Sequence, residues 1–102
     1  MYYDLAKSFH VYPMGRQMGE DFRERILIPE LSKIKAENIS EKLIIQIDGC
    51  KALGSSFLEE AFGGLVRKGF TRRELRKILE IRAELESKKF FVESVWDYIN
   101  RA

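Results

Sequence analysis

The chain is short of most things that mark a dedicated catalytic or secreted protein: its 102 residues include one cysteine, one histidine and two prolines. A lone thiol, Cys50, can form no internal disulfide, and a chain without that staple is expected in a reducing, cytoplasmic setting. Pro13 and Pro29 are too few for a Pro-rich linker and there is no internal repeat, so residues 1–102 are expected to form one domain. Unbroken apolar stretches such as Leu43-Ile44-Ile45 and Phe90-Phe91-Val92 fall far short of the ~20 residues a membrane span needs, and neither end reads as a signal peptide. Charge of one sign is also scarce. Eighteen basic residues against sixteen acidic ones leave +2, which announces no polyanionic partner.

What is there reads as a small α/β domain. The aromatic-rich segment 2–12, closed by the turn Pro13-Met14-Gly15, predicts an N-terminal strand. From Gly19 the pattern turns helical, with Glu20-Asp21 in the expected first turn and Ile26, Leu27, Leu31 and Ile34 on one face; Pro29 should kink or restart it. Residues 43–48, Leu-Ile-Ile-Gln-Ile-Asp, predict a central strand covered on both faces. Gly54-Ser55-Ser56 then opens a helix that places Phe57, Leu58, Ala61, Phe62, Leu65 and Val66 on one apolar face. Gly63-Gly64 within it implies that something lies close to the backbone. Residues 71–86 fit a helix and a strand equally, whereas Val92, Val95, Trp96 and Ile99 fix a C-terminal amphipathic helix. The expected fold class is therefore a small central β-sheet with helices packed against it.

Candidates for chemistry are few. His10 and Cys50 would make a nucleophile pair if brought together, but nothing in the sequence places or activates either. No His, Cys and carboxylate set has metal-ligand spacing, and no motif calls for a cofactor, so no enzymatic role is expected. Met14-Gly15-Arg16-Gln17-Met18-Gly19 is either an anion-binding loop before a helix or a plain turn. The net charge is unevenly spread: Arg67, Lys68, Arg72, Arg73, Arg76 and Lys77 face a single acid, Glu74, and form a patch that would suit nucleic acid or simply a solvated surface.

The start of the second helix is the most informative segment. Ser56 and Glu59 have the spacing of a capping box, in which the serine bonds a free N–H of the first turn and the glutamate reaches back. Ser55 is then left over near the positive end of the helix dipole, where a phosphate would find donors. Plain N-capping by one or both serines is the alternative reading.

Gly15-Arg16, Gly19-Glu20-Asp21-Phe22-Arg23, the strand ending Ile47-Asp48-Gly49-Cys50 and the run Ser55-Ser56-Phe57-Leu58-Glu59-Glu60-Ala61-Phe62-Gly63 together resemble the STAS-like domains, relatives of the anti-sigma-factor antagonists. The resemblance spans nearly the whole chain. It implies a sheet with helices against it and favours the strand reading of Ile78 to Glu84. Similarity to the antagonists implies a partner, a histidine-kinase-like ATPase that acts as a serine kinase. It also implies phosphorylation of Ser55, with Ser56 as alternate, and docking through Lys51, Gly54, Ser55, Ser56, Glu59 and Glu60. Where those proteins have an aspartate before the serines and a glycine after them, this chain has Gly54 and Phe57.

Overall fold

Three short strands, β1 (Tyr2–Asp4), β2 (Leu43–Gln46) and β3 (Leu79–Arg82), lie parallel in the order β1-β2-β3 in a computed structural model that describes residues 1–102. Parallel neighbours need long crossovers, and here both are helical. The first contains α1 (Leu5–Ser8) and α2 (residues 15–37); the second contains α3 (residues 55–67) and α4 (Arg72–Ile78); α5 (Glu86–Arg101) follows β3. In cross-section α3 packs between α2 and α5. The result is the small α/β sheet with helices against it that the sequence implies.

Register decides which side chains enter the core. Tyr3, Ile45 and Ile81 share a row and are buried with Leu43 and Leu79 under the helices, where Phe22, Phe57, Phe62, Leu65, Val95 and Ile99 complete the core. The opposite face carries the rows Tyr2, Ile44, Glu80 and Asp4, Gln46, Arg82. Cover on this face is uneven: Gln46 is buried and Ile44 half-buried, while Tyr2 on the flanking strand is 57% exposed. The expectation of a strand covered on both faces therefore holds in part: Leu43, Ile45 and Gln46 are buried and Ile44 is half-covered.

Other expectations shift for local reasons. The N-terminal strand stops at Asp4, because the Asp4 carboxylate accepts the Lys7 N–H at 3.1 Å and caps α1. Helix α2 starts at Gly15, about one turn before the acids at 20 and 21, so those acids do not occupy its first turn. Pro29 does not break it. The α-helical segments Gly15–Phe22 and Ile28–Glu37 are joined by a widened π turn, Arg23–Leu27, and Pro29 falls in the first turn of the segment that restarts at Ile28, where its missing N–H costs least. Residues 71–86 satisfy both readings in succession: α4 opens with a full capping box between Thr71 and Glu74, and the chain then extends into β3. The C-terminal helix forms as expected, with Val95 and Ile99 buried.

Candidate functional site

The carboxyl ends of the parallel strands and the start of α3 gather at one end of the sheet. After β2, Asp48 turns the chain: its carboxylate accepts the N–H groups of Glu84 at 2.8 Å and Leu85 at 3.0 Å, fixing the exit of β3. Cys50 follows, then a connection that clasps the segment before α2: Lys51 N–H donates to Val11 O at 2.7 Å and Gly54 N–H to Pro13 O at 2.9 Å. Gly54 also lies close to Met14, whose Sδ would stand 3.1 Å from an added Cβ. Helix α3 therefore begins beside residues 11–14, and both serines at its start are exposed.

The capping box expected of Ser56 and Glu59 is not formed. Gly54 is the N-cap residue, and no side chain accepts from the first turn. The N–H groups of Ser55 and Ser56 and both hydroxyls are thus uncommitted to a cap. Glu59 is drawn elsewhere: Arg67 Nη1 donates to its Oε2 at 2.6 Å and Arg16 Nη1 to its Oε1 at 2.7 Å. Two charge-assisted bonds to guanidinium outcompete one neutral bond to a backbone N–H.

Glu60 is engaged in the same way. Arg23 Nη1 donates to Glu60 Oε2 at 2.7 Å and to the Glu60 carbonyl at 2.6 Å, while Arg23 Nε donates to Glu24 Oε2 at 2.8 Å. Hydrogen bonds from Arg67 and Arg16 hold the Glu59 carboxyl below its ordinary value, and the bond from Arg23 does the same for Glu60. Of the docking residues the resemblance implies, then, Lys51, Gly54, Ser55 and Ser56 line one surface, and Glu59 and Glu60 are tied down by arginines of their own chain.

Arg23 is the residue that sequence reasoning missed. It is 5% exposed, sits at the junction of the first α-helical segment with the π turn, and lies against Gly64. Its signals were Gly63-Gly64, read as a place of close approach, and its spacing of four residues before buried Leu27, which puts a charge on the core-facing side of α2. Also missed was a rim of exposed apolar side chains beside the serines: Val11, Tyr12 at 46% and Met14 at 48%. The sequence predicts a strand and a turn for them, and neither pattern announces a docking role.

The other candidates separate. Cys50 is buried, its Sγ donating to the His10 carbonyl at 3.9 Å and not to the ring, and the His10 ring accepts the Tyr12 N–H through Nδ1 at 2.9 Å. Burial, with Asp4 nearby, pushes the thiol up to about 11, so no nucleophile pair exists. Arg16 is spent on Glu59 and Glu60, which leaves the 14–19 segment without a free cation for an anion. Arg72 donates to the carbonyls of Ile99 and Ala102 at the end of α5. With Arg67 paired as well, the exposed remainder of the basic stretch is Lys68, Arg73, Arg76 and Lys77. No group of three or more His, Cys, Asp or Glu side chains is placed to hold a metal, and no helix is long and apolar enough to cross a membrane.

Residues 18–88, more than half of the chain, match the family model described as the STAS-like domain of unknown function, and the chain belongs to that family. No curated protein and no solved structure matches it.

Proposed function

We propose that this STAS-like domain is a regulatory protein-interaction module that docks a histidine-kinase-like ATPase at the start of α3 and is switched by phosphorylation of Ser55. The observation that carries this reading is an exposed serine with no structural duty, placed beside an exposed apolar rim. Ser55 caps nothing, while Val11, Tyr12 and Met14 offer the kind of adaptable apolar area that protein partners bury. A phosphate there would add close to two negative charges at the positive end of α3 without breaking a native cap. It would also repel an acidic partner surface, so addition and removal of the phosphate would release and restore docking.

The test uses the histidine-kinase-like ATPase encoded nearest to this protein. Mixed with it and ATP, the wild-type chain is expected to co-elute before turnover, to gain the mass of one phosphate and then to dissociate. Ser55→Ala should bind and stay unmodified, and Met14→Glu should fold and fail to bind. Absence of a wild-type complex removes the docking claim. A complex with unchanged mass removes the switch.

A further inference from the structure

The sheet and the helical layer do not match in width. Strands are spaced about 4.8 Å apart and packed helices about 8–10 Å, so a row of three helices spans roughly twice the width of three strands. Here α2, α3 and α5 form such a row, and α5 is the helix of the three that meets β3. Between them runs an open groove of about 390 Å³, lined by Glu80, Ile81, Arg82 and Ala83 on the strand and by Lys89, Val92 and Glu93 on α5.

The strand side of that groove has unmet backbone groups. The Arg82 carbonyl accepts the Ile47 N–H, so the peptide groups of Arg82 and, two residues away, Glu80 point at β2. Alternation turns the N–H and C=O of Ile81 outward, with Ala83 in the same phase. No strand lies on that side, because β3 is the edge of the sheet. Such an edge is normally blunted by shortness, charged side chains, proline, a bulge or a covering element; β3 is four residues long and carries Glu80 and Arg82, but it has no proline and its outer side faces the groove.

We propose that the β3 edge is a peptide-binding site, in which an extended segment of a protein partner adds a fourth strand under α5. The site specifies the chemistry of that segment. The residue opposite Ile81 faces the helical side, toward Val92 and Ala83, and must be apolar. Its neighbours fall on the open face opposite Arg82 and Glu80, a pair that already bridge each other at 2.9 Å, and must be acidic and basic respectively. In the antiparallel orientation, the more stable pairing per residue, the recognised segment reads acidic-apolar-basic. The site is separate from Ser55 and does not depend on the function proposed above.

The probe is a synthetic heptapeptide, Ser-Thr-Glu-Val-Arg-Thr-Ser, titrated into ¹⁵N-labelled full-length chain. Amide shifts are expected to centre on Ile81, Ala83 and Val92, and to vanish when the peptide's valine nitrogen is methylated, which deletes a ladder donor and keeps every side chain. The doubly exchanged chain E80R/R82E keeps its internal ion pair and should bind the original peptide about tenfold more weakly while gaining a similar preference for the version with Glu and Arg interchanged. The proposal is overturned by unperturbed Ile81 and Ala83 amides at millimolar peptide, or by N-methylation without effect. It is equally overturned if sedimentation at the same concentrations reveals a dimer paired through this edge, since the occupant would then be a second copy of the chain.

Discussion

The guanidinium of Arg23 fills the space that a side chain at Gly64 would occupy, and from there bonds the Glu60 carbonyl and carboxylate at 2.6 and 2.7 Å. One residue of α2 thereby reaches across to the π turn of α3, Glu59–Gly63, and the absent Cβ at 64 is what lets it. The two widened turns, one in each helix, sit on either side of this contact.

Gly64→Ala should therefore destabilise the protein, although Gly to Ala inside a helix ordinarily gains roughly 1 kcal/mol. Expelling Arg23 from its two acceptors is expected to outweigh that gain and leave a net loss of about 2 kcal/mol in urea unfolding. Gly63→Ala is the comparison, because its Cβ would meet the tip of the half-exposed Glu59–Arg67 pair, Oε2 at 2.8 Å, with the Tyr98 carbonyl at 3.4 Å, and displacing that surface pair should cost less, within about 1 kcal/mol. Combining Gly64→Ala with Arg23→Met should cost less than the sum of the single changes. A stabilised Gly64→Ala protein would show that the contact carries no weight.

Capping separates the two helix starts that carry hydroxyl side chains. Thr71 accepts the Glu74 N–H at 3.0 Å and Glu74 Oε1 accepts the Thr71 N–H at 2.9 Å, so Thr71→Ala is expected to lower stability by about 1 kcal/mol. Ser55→Ala and Ser56→Ala should each stay within about 0.5 kcal/mol, since neither hydroxyl caps α3. Denaturant midpoints measured in parallel decide the matter: a loss at Ser55 or Ser56 as large as that at Thr71 would mean that the serines are structural.

Acid should loosen the contact between α2 and α3. Arg67 and Arg16 lower the folded-state value of Glu59, and Arg23 lowers that of Glu60, from an ordinary 4.5. A carboxyl lowered on folding contributes stability that is complete above its unfolded value and disappears as pH falls through its folded one. Wild type and Glu60→Gln should thus differ in thermal midpoint by a constant amount at neutral pH, and the gap should close as pH drops below about 4.5. A gap that persists unchanged at pH 2 would exclude ionised Glu60 as its source.

Cys50 should behave as an inert core thiol. Burial, aided by Asp4, pushes its titration up to about 11, so iodoacetamide at pH 8 should label native protein many-fold more slowly than unfolded protein. Rapid labelling of the native state would place the thiol in a reactive setting.

The elements legible in the sequence were those fixed by local pattern. Leu43-Ile44-Ile45 announced β2, the Val95 and Ile99 spacing announced α5, and Gly63-Gly64 announced a close approach without saying by what. What escaped was set by distant partners. The Ser56 and Glu59 spacing satisfies the rule for a capping box, but Arg67 and Arg16 bind the glutamate more strongly than a backbone N–H can. The aromatic segment 2–12 alternates well enough for a strand, but Asp4 caps a helical turn and removes Leu5 to the core. That β2 lies between β1 and β3 follows from strand order, which no window of residues contains. The serines were readable, whereas the apolar rim beside them came together only through the hydrogen bonds of Lys51 and Gly54 to Val11 and Pro13.

The parallel order also sets how this sheet can assemble. Tyr2 pairs with Ile44 and Leu43 with Leu79, so no strand pair is a hairpin and each must close a loop of about forty residues before its first ladder bond forms. Chains dominated by such distant contacts fold slowly. Here the helices are the local elements, and the aromatic knot of Phe22 with Phe57 and Phe62 joins the two crossovers directly, at ring separations of 5.8 and 6.2 Å. Early docking of α2 on α3 through that knot would shorten both loop closures at once and make the helical layer the template on which the strands are later aligned.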